Sequence, residues 1–458
     1  MPRDLTTGSI AQNMAAFAGP YLIACFLQTF YPIADLFIAG LYNGASTTSA
    51  ISIGGQVMHF IVMMVAGIAM GANVCVGKAF GERSKEAQAK ATGNAILIFA
   101  GLAVVMTALA FPFTEQIIDV LQTPPESRAE TLIYTQICFL GIPFIAAYNL
   151  IASIYRGLGD TRFPLFFVAI GGFFNIALDI LFIGRLGMGA TGAAAATVIA
   201  QAVSVAVGIA CLRRMPAFCR PDMRPDRATM RAILGIGLPI LCQDGFVQIG
   251  FLVITAIANA RGLYVSAAVG IVEKIICFLF LVPSAMLAAV SAVSAQNRGA
   301  GLHARSKLAL KYGILTCCIY GGVAAVVCQP LSPLFVGLFT TEQEVVRLGA
   351  QYLRTYSFDV MAAGTHFCFS GFFCAYSRSA WSFIHNAVSI CAVRIPGTWL
   401  ASLLFPATLY EMGAVTPLGS LASVVICVFV YRHYRSWWDH PDETPGRNST
   451  RHIPDTAN

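Results

Sequence analysis

GGFFNIALDILFIGRLGMGATGAAAAT, residues 171–197, is the stretch that decides how the chain is read. Asn175 and Asp179 sit four residues apart in an apolar run, on one face of a helix, ahead of a Gly-rich turn and Thr197. Hydrocarbon penalises a bare carboxylate by several kcal/mol. An acid in this setting therefore faces protein or a water-filled cavity, and it marks a functional site by default.

The rest of the chain is of the same kind. It is 57% hydrophobic and only 11% charged, where a soluble surface needs roughly a quarter of residues charged. The reading is an all-α integral membrane protein. Apolar runs of about 20 residues place twelve spans, near 14–41, 49–76, 88–111, 132–155, 163–184, 189–212, 232–260, 265–293, 308–329, 350–376, 380–405 and 412–433.

Lys and Arg set the orientation. Of the 29 in the chain, 22 fall at Arg3, the 77–90 loop, Arg156, Arg162, the 213–231 linker, the 298–311 loop, Arg378, Arg432 and the tail, all on one side of this topology. Both termini are read as cytoplasmic, in a multi-pass protein of the cell membrane. The net charge of +7 follows from this bias, so lipids and not nucleic acid are the expected surroundings.

The fourteen Cys are scattered without a Cys-x-x-Cys pair and read as small buried apolar residues. The segment GKAFG at 77–81 lacks the spacing and the Ser/Thr of a phosphate loop. No soluble stretch elsewhere would house a nucleotide-binding domain, so an ATP-driven pump within this chain is excluded and no cofactor is expected. The 112–131 loop, acidic and Pro-rich, reads as solvated. The tail from Ser436, with its sequon at Asn448, reads as polar and unstructured.

The chain divides into a terminus (1–13), six spans (14–212), a Pro- and Arg-rich linker (213–231), six more spans (232–433) and the tail (434–458). The second six repeat the first: Pro239 answers Pro20, and Gln296-Asn297-Arg298-Gly299 answers Lys78-Ala79-Phe80-Gly81, at offsets of 217 to 219. Six is even, so the two bundles share an orientation, with a path expected between them.

Depth picks out a site. Asp179 and Thr197 each lie nine residues from the turn near Met188, and Asp35 lies ten residues from the loop near Ala45. At 1.5 Å per residue all three, with Asn175, fall about 13–15 Å below the same surface. Two carboxylates in one layer must share a proton or enclose a cation. Pro32 removes the hydrogen bond to Gln28, so a hinge is expected one turn before Asp35.

At offset 217 the partners of Asn175 and Asp179 are Ala392 and Pro396, so the second half has lost the pair. It has its own charges: Glu273 and Lys274, then Asp359 and His366 seven residues apart on one face, then Arg394. These read either as a closed acid–Arg394 ion pair that fixes helix packing or as substrate contacts, with Gln56 of the second span as a further candidate.

These residues resemble the multidrug and toxic compound extrusion (MATE) family of secondary transporters, across about residues 14–433. The matching motifs are Arg156-Gly157-Leu158-Gly159-Asp160-Thr161, Asn175-x-x-x-Asp179, Gly189-Ala190-Thr191-Gly192-Ala193-Ala194, Gln296-Asn297-Arg298-Gly299-Ala300 and Val393-Arg394-Ile395-Pro396. The resemblance implies an exporter of cationic or amphipathic small molecules driven by Na⁺ or H⁺. The cation site falls on Asp35, Asn175, Asp179 and Thr197, and the family's tenth-span acid falls on Asp359. The acid some members carry early in the seventh span has no match, since that register falls near Val247 and Gln248.

The expectation is a monomeric antiporter working by alternating access. A related flippase for a lipid-linked saccharide is the rival, and it would need a large basic cavity. A membrane-embedded enzyme would need a nucleophile motif or a His/Asp/Glu cluster at an interface, and the sequence carries neither.

Overall fold

A computed structural model describes residues 3–214 and 219–439, and every regular element among them is helical. Asn448 and most of the expected tail lie outside those residues. Twelve membrane-length units run in chain order: α1 (Ile10–Tyr42), α2 (Ala45–Gly81), α3 (Lys85–Ala110), α4 (Pro125–Leu140 with Ile142–Gly157), α5 (Arg162–Arg185), α6 (Gly189–Arg213), α7 (Arg227–Ala260), α8 (Leu263–Gly299), α9 (His303–Gly337), α10 (Gln343–Tyr356 with Asp359–Ala375), α11 (Ala380–Leu404) and α12 (Tyr410–His433). They form two pseudo-symmetric six-helix bundles, α1–α6 and α7–α12.

Ten of the units are long and apolar enough to cross a membrane by themselves. The other two are the broken ones. α4 bends by 47° at Gly141-Ile142-Pro143, where a missing side chain and a missing N–H weaken the helix at one point. α10 divides at Ser357 and Phe358, and its first half carries Glu344, Arg347 and Arg354.

The apolar cores show how the bundles meet. At the end of the molecule that carries both termini, a single core joins the start of α1 (Met14, Phe17) to α8 (Val290, Val293), α10 (Phe372, Phe373) and Trp438. At the opposite end each bundle has a core of its own, Ile38, Ile51, Tyr134 and Ile183 in the first and Val269, Val345, Tyr352 and Met412 in the second. The bundles are therefore fused at the terminal end and separate away from it, which leaves a cleft between them.

Glycine makes the fusion close. A Cβ on Gly71 would lie 2.1 Å from the Ile233 carbonyl oxygen, one on Gly81 1.9 Å from that of Gln296, and one on Gly299 2.0 Å from that of Lys78. Helices α2, α7 and α8 thus touch backbone to backbone, the packing that small residues permit between membrane helices.

The segment before α1 crosses the same seam. Arg3 donates its N–H to the Leu158 carbonyl in the first bundle (3.1 Å), while Leu5 donates to Gln296 Oε1 in the second (2.9 Å). Asn297 returns a bond to the Leu5 carbonyl (3.1 Å), Arg305 reaches the Gly8 carbonyl (3.0 Å), and Leu5 itself is fully buried.

Two expectations are corrected here, for the 112–131 loop and for the tail. The 112–131 loop is largely helical, with a short helix Thr114–Val120 and α4 starting at Pro125; Ser127 and Thr131 are buried there. The linker is docked, since Asp222 N–H donates to the Ala89 carbonyl (2.9 Å) and Asp226 N–H to Asn94 Oδ1 (2.8 Å). Asp226 also caps α7, accepting from the Thr229 N–H at 2.8 Å. The start of the tail is ordered by Trp438, buried with its indole N–H on the Tyr431 carbonyl (2.8 Å) and its ring 5.9 Å from that of Phe373.

Gly81→Ala and Gly299→Ala each force a methyl into backbone at the seam. Each is expected to cost about 1–3 kcal/mol, the usual range for overpacking, read as a lowered thermal midpoint in detergent. A midpoint equal to wild type would show that the bundles are not in contact there.

Candidate cation site

Sequence chemistry in α1 and α5 brings two acids together. Gly172 has no side chain, and the Tyr31 ring fills the space: a Cβ on Gly172 would lie 2.0 Å from the Tyr31 ring carbon that bears the hydroxyl. The Tyr31 hydroxyl then donates to the Val168 carbonyl (2.7 Å). This clamp fixes the register of α1 against α5. One turn on from Tyr31 comes Asp35, and two turns on from Gly172 comes Asp179, and the two carboxyl groups lie within hydrogen-bond reach of each other.

Both acids are removed from solvent, Asp35 at 8% and Asp179 at 0% exposure. Asn175, also buried, points its amide N–H at Asp179 Oδ2 (3.5 Å). One oxygen of each acid, Oδ1 of Asp35 and Oδ1 of Asp179, has no hydrogen-bond partner. Buried polar atoms left in this way are costly. A proton held between the carboxyls, or a hard cation bound by them and the Asn175 amide oxygen, would satisfy both atoms.

The wall of the site adds residues that the sequence reading passed over. Tyr134 of α4 lies on the backbone of α2, where a Cβ on Gly54 would fall 2.2 Å from its ring, and it stands within electrostatic range of both acids. Tyr31 and Tyr134 were each readable only through a glycine on the facing helix, a signal that names no partner. Immediately after Asp179 the helix widens into a π-helical turn, Ile180–Arg185, a feature that recurs at functional sites.

Thr197 and Pro32 sit differently. The Thr197 hydroxyl donates to the Ala193 carbonyl of its own helix (3.0 Å). Pro32 lies inside α1, which runs unbroken from Ile10 to Tyr42.

In the second bundle Asp359 is fully buried and Arg394 reaches it at 3.3 Å. Arg394 also donates to Ser420 Oγ (2.7 Å), and the buried His366 places Nε2 3.5 Å from that oxygen. Glu273 stands outside this network, with its Oε1 buried and without a hydrogen-bond partner. Gln56 is exposed on α2, two turns from Met63, whose sulfur meets Gln248 Nε2 of α7 at 2.8 Å. It therefore stands on the face that borders the cleft. Among the described residues no group of three or more His, Cys, Asp or Glu is gathered as a transition-metal site would require.

Two repeated six-helix bundles around a cleft, with a buried acidic pair in one of them, define a membrane transporter and not an enzyme. The MatE family matches residues 20–181 and again residues 239–400, and the chain belongs to that family. Among relatives, it is 26% identical over 437 residues to the probable multidrug resistance protein YpnP of Bacillus subtilis, covering 95% of this chain and 97% of that one. It is 23% identical over 428 residues to the multidrug export protein MepA of Staphylococcus aureus strain MSSA476, covering 91% and 93%. In fold it matches a solved outward-facing multidrug resistance MATE family transporter at a TM-score of 0.89, with 19% identity and 95% and 98% of the two chains covered.

A methyl at Gly172 collides with Tyr31 and should move α1 off α5. Gly172→Ala is expected to lower the thermal midpoint, and Tyr31→Ala added to it should recover part of that loss. Additive effects of the two substitutions would contradict the clamp.

Proposed function

We propose that the protein is a secondary antiporter that exports amphipathic or cationic small molecules from the cell in exchange for Na⁺ or H⁺, acting as a monomer in the cytoplasmic membrane. The observation that carries this reading is the pair of buried, unpartnered oxygens on Asp35 and Asp179. The pair accepts one positive charge at a time, and its stability depends on that charge being present.

The basic loops assign the terminal end to the cytoplasm, so the cleft opens outward. In that state an external cation enters the first bundle and neutralises the pair. Asn175 presents its amide beside Asp179, and Thr197 lies in the same layer. Pro32 leaves Gln28 without its backbone partner one turn from Asp35, which makes α1 the helix that bends as the pair changes charge. Bending reshapes the first-bundle wall of the cleft and releases cargo. Closure of the outer mouth and parting of the terminal seam then expose the ion to the cytoplasm. One charge falling through 100 mV supplies about 2.3 kcal/mol, enough for a roughly fortyfold gradient of a neutral solute. The cargo class is supported by the drug resistance and export names of the relatives.

In proteoliposomes an imposed inward Na⁺ or H⁺ gradient is expected to drive export of a fluorescent cationic dye. Asp35→Asn and Asp179→Asn should each abolish driven transport while leaving the protein folded by size-exclusion chromatography. Sodium alone and protons alone, tested in turn, identify the coupling ion. Wild-type rates in either variant would remove the proposal.

A further inference from the structure

The two segments matched to the family are of equal length and are offset by 219 residues. That interval carries Asp35 onto Ile254, Asn175 onto Arg394 and Asp179 onto Thr398. It differs by two residues from the offset of 217, which sets Ala392 and Pro396 opposite the polar pair. The second bundle has therefore exchanged both acids for uncharged residues and placed a guanidinium where the first bundle has an amide.

The surrounding structure is shaped to receive that guanidinium. A π-helical turn, Ser389–Arg394, ends on Arg394 and turns it inward. Gly419 of α12 makes the room, since a Cβ there would lie 2.6 Å from Arg394 Cγ, and the Gly419 carbonyl is held by Ser389 Oγ at 2.6 Å. The Arg394 Nη2 then meets Asp359 Oδ2 at 3.3 Å and Ser420 Oγ at 2.7 Å. Asp359 is drawn from α10, whose counterpart in the first bundle, α4, brings Tyr134 and no acid to the site. Arg cannot lose its proton in a protein, so this positive charge is permanent and tethered.

We infer that Arg394 is a built-in cation that occupies the second bundle's counterpart of the ion site, so that Asp359 is held charged and only the first bundle exchanges an ion. This rests on the reading of Asp35 and Asp179 as the exchanging pair. Arg394 acts through Asp359 and is a positioning residue. The neighbouring histidines, His366 and His385, lie beside the pair with ring centroids 5.2 Å apart, and His385 is bonded to Ser370 Oγ at 3.0 Å. Glu273 is the other second-bundle acid with a buried, unpartnered oxygen, Oε1, and the same labelling reads it. The consequence is a fixed stoichiometry of one site per chain, set by Arg394.

A hydrophobic carbodiimide, dicyclohexylcarbodiimide, reports on this directly, because it modifies buried carboxyl groups only when they carry a proton. The purified full-length protein is treated in sodium-free buffer, and modified peptides are quantified by mass spectrometry. In the wild type, label is expected on Asp35 or Asp179 and not on Asp359. In Arg394→Gln, Asp359 loses its fixed partner and should gain label at least about tenfold, the size of effect one decade in protonation gives. Arg394→Lys keeps the charge and should leave Asp359 unlabelled, which packing loss alone would not predict.

Label on Asp359 in the wild type equal to that on the first-bundle pair overturns the inference, and so does an Arg394→Gln protein in which Asp359 stays unlabelled. The wild-type and Arg394→Lys arms carry the test if Arg394→Gln does not fold. Absence of label from Asp35 and Asp179 would count against the antiport reading while the Arg394 arms still decide this one.

Discussion

Two carboxyl groups pressed together away from water constrain everything else in the first bundle. Asp35 and Asp179 cannot both be charged and bare in that position, because each would suffer both desolvation and the other's repulsion. On the proposed reading, the site is stable only with a positive charge between the acids. The protein holds this unfavourable contact in place with the Tyr31–Gly172 clamp, the Asn175 amide and the Tyr134 ring seated on Gly54. In the proposed antiport, such an element, comfortable in only one ionic state, would couple an ion to a shape change.

The architecture gives that shape change somewhere to act. The bundles share one core at the terminal end and have separate cores at the other. Glycine contacts and the strap before α1 close the shared end. The acidic pair lies among the residues of the separate first-bundle core. In the proposed cycle, a change in charge there would alter the wall of the cleft without first disturbing the seam. In the second bundle the buried acid Asp359 is paired with Arg394.

Much of this was legible in the sequence. Span count, the internal repeat and the common depth of Asp35 and Asp179 all follow from hydropathy and the 1.5 Å rise of a helix. The contacts that make the site do not. Tyr31 and Tyr134 look like ordinary aromatic residues until the facing glycine is known, and neither π-helical turn has a periodic signature. The repeat register was readable only to within two residues, and that margin separates Ala392 from Arg394 as the partner of Asn175. Local helical segments in the 112–131 loop and the docking of Trp438 were missed for a related reason: short polar stretches take their structure from tertiary contacts that composition does not encode.

The most direct test is the thermal stability of Asp35→Asn against wild type in sodium-free buffer across pH. Whatever binds the folded pair and not the unfolded chain stabilises it by mass action. The account predicts that at alkaline pH, with no cation available, the variant melts above wild type because one of the two repelling charges is gone. Lowering the pH, or adding the coupling ion, should close that gap as the wild-type pair is neutralised. A variant that melts at or below wild type under every one of these conditions would contradict the claim that the two acids share a single positive charge.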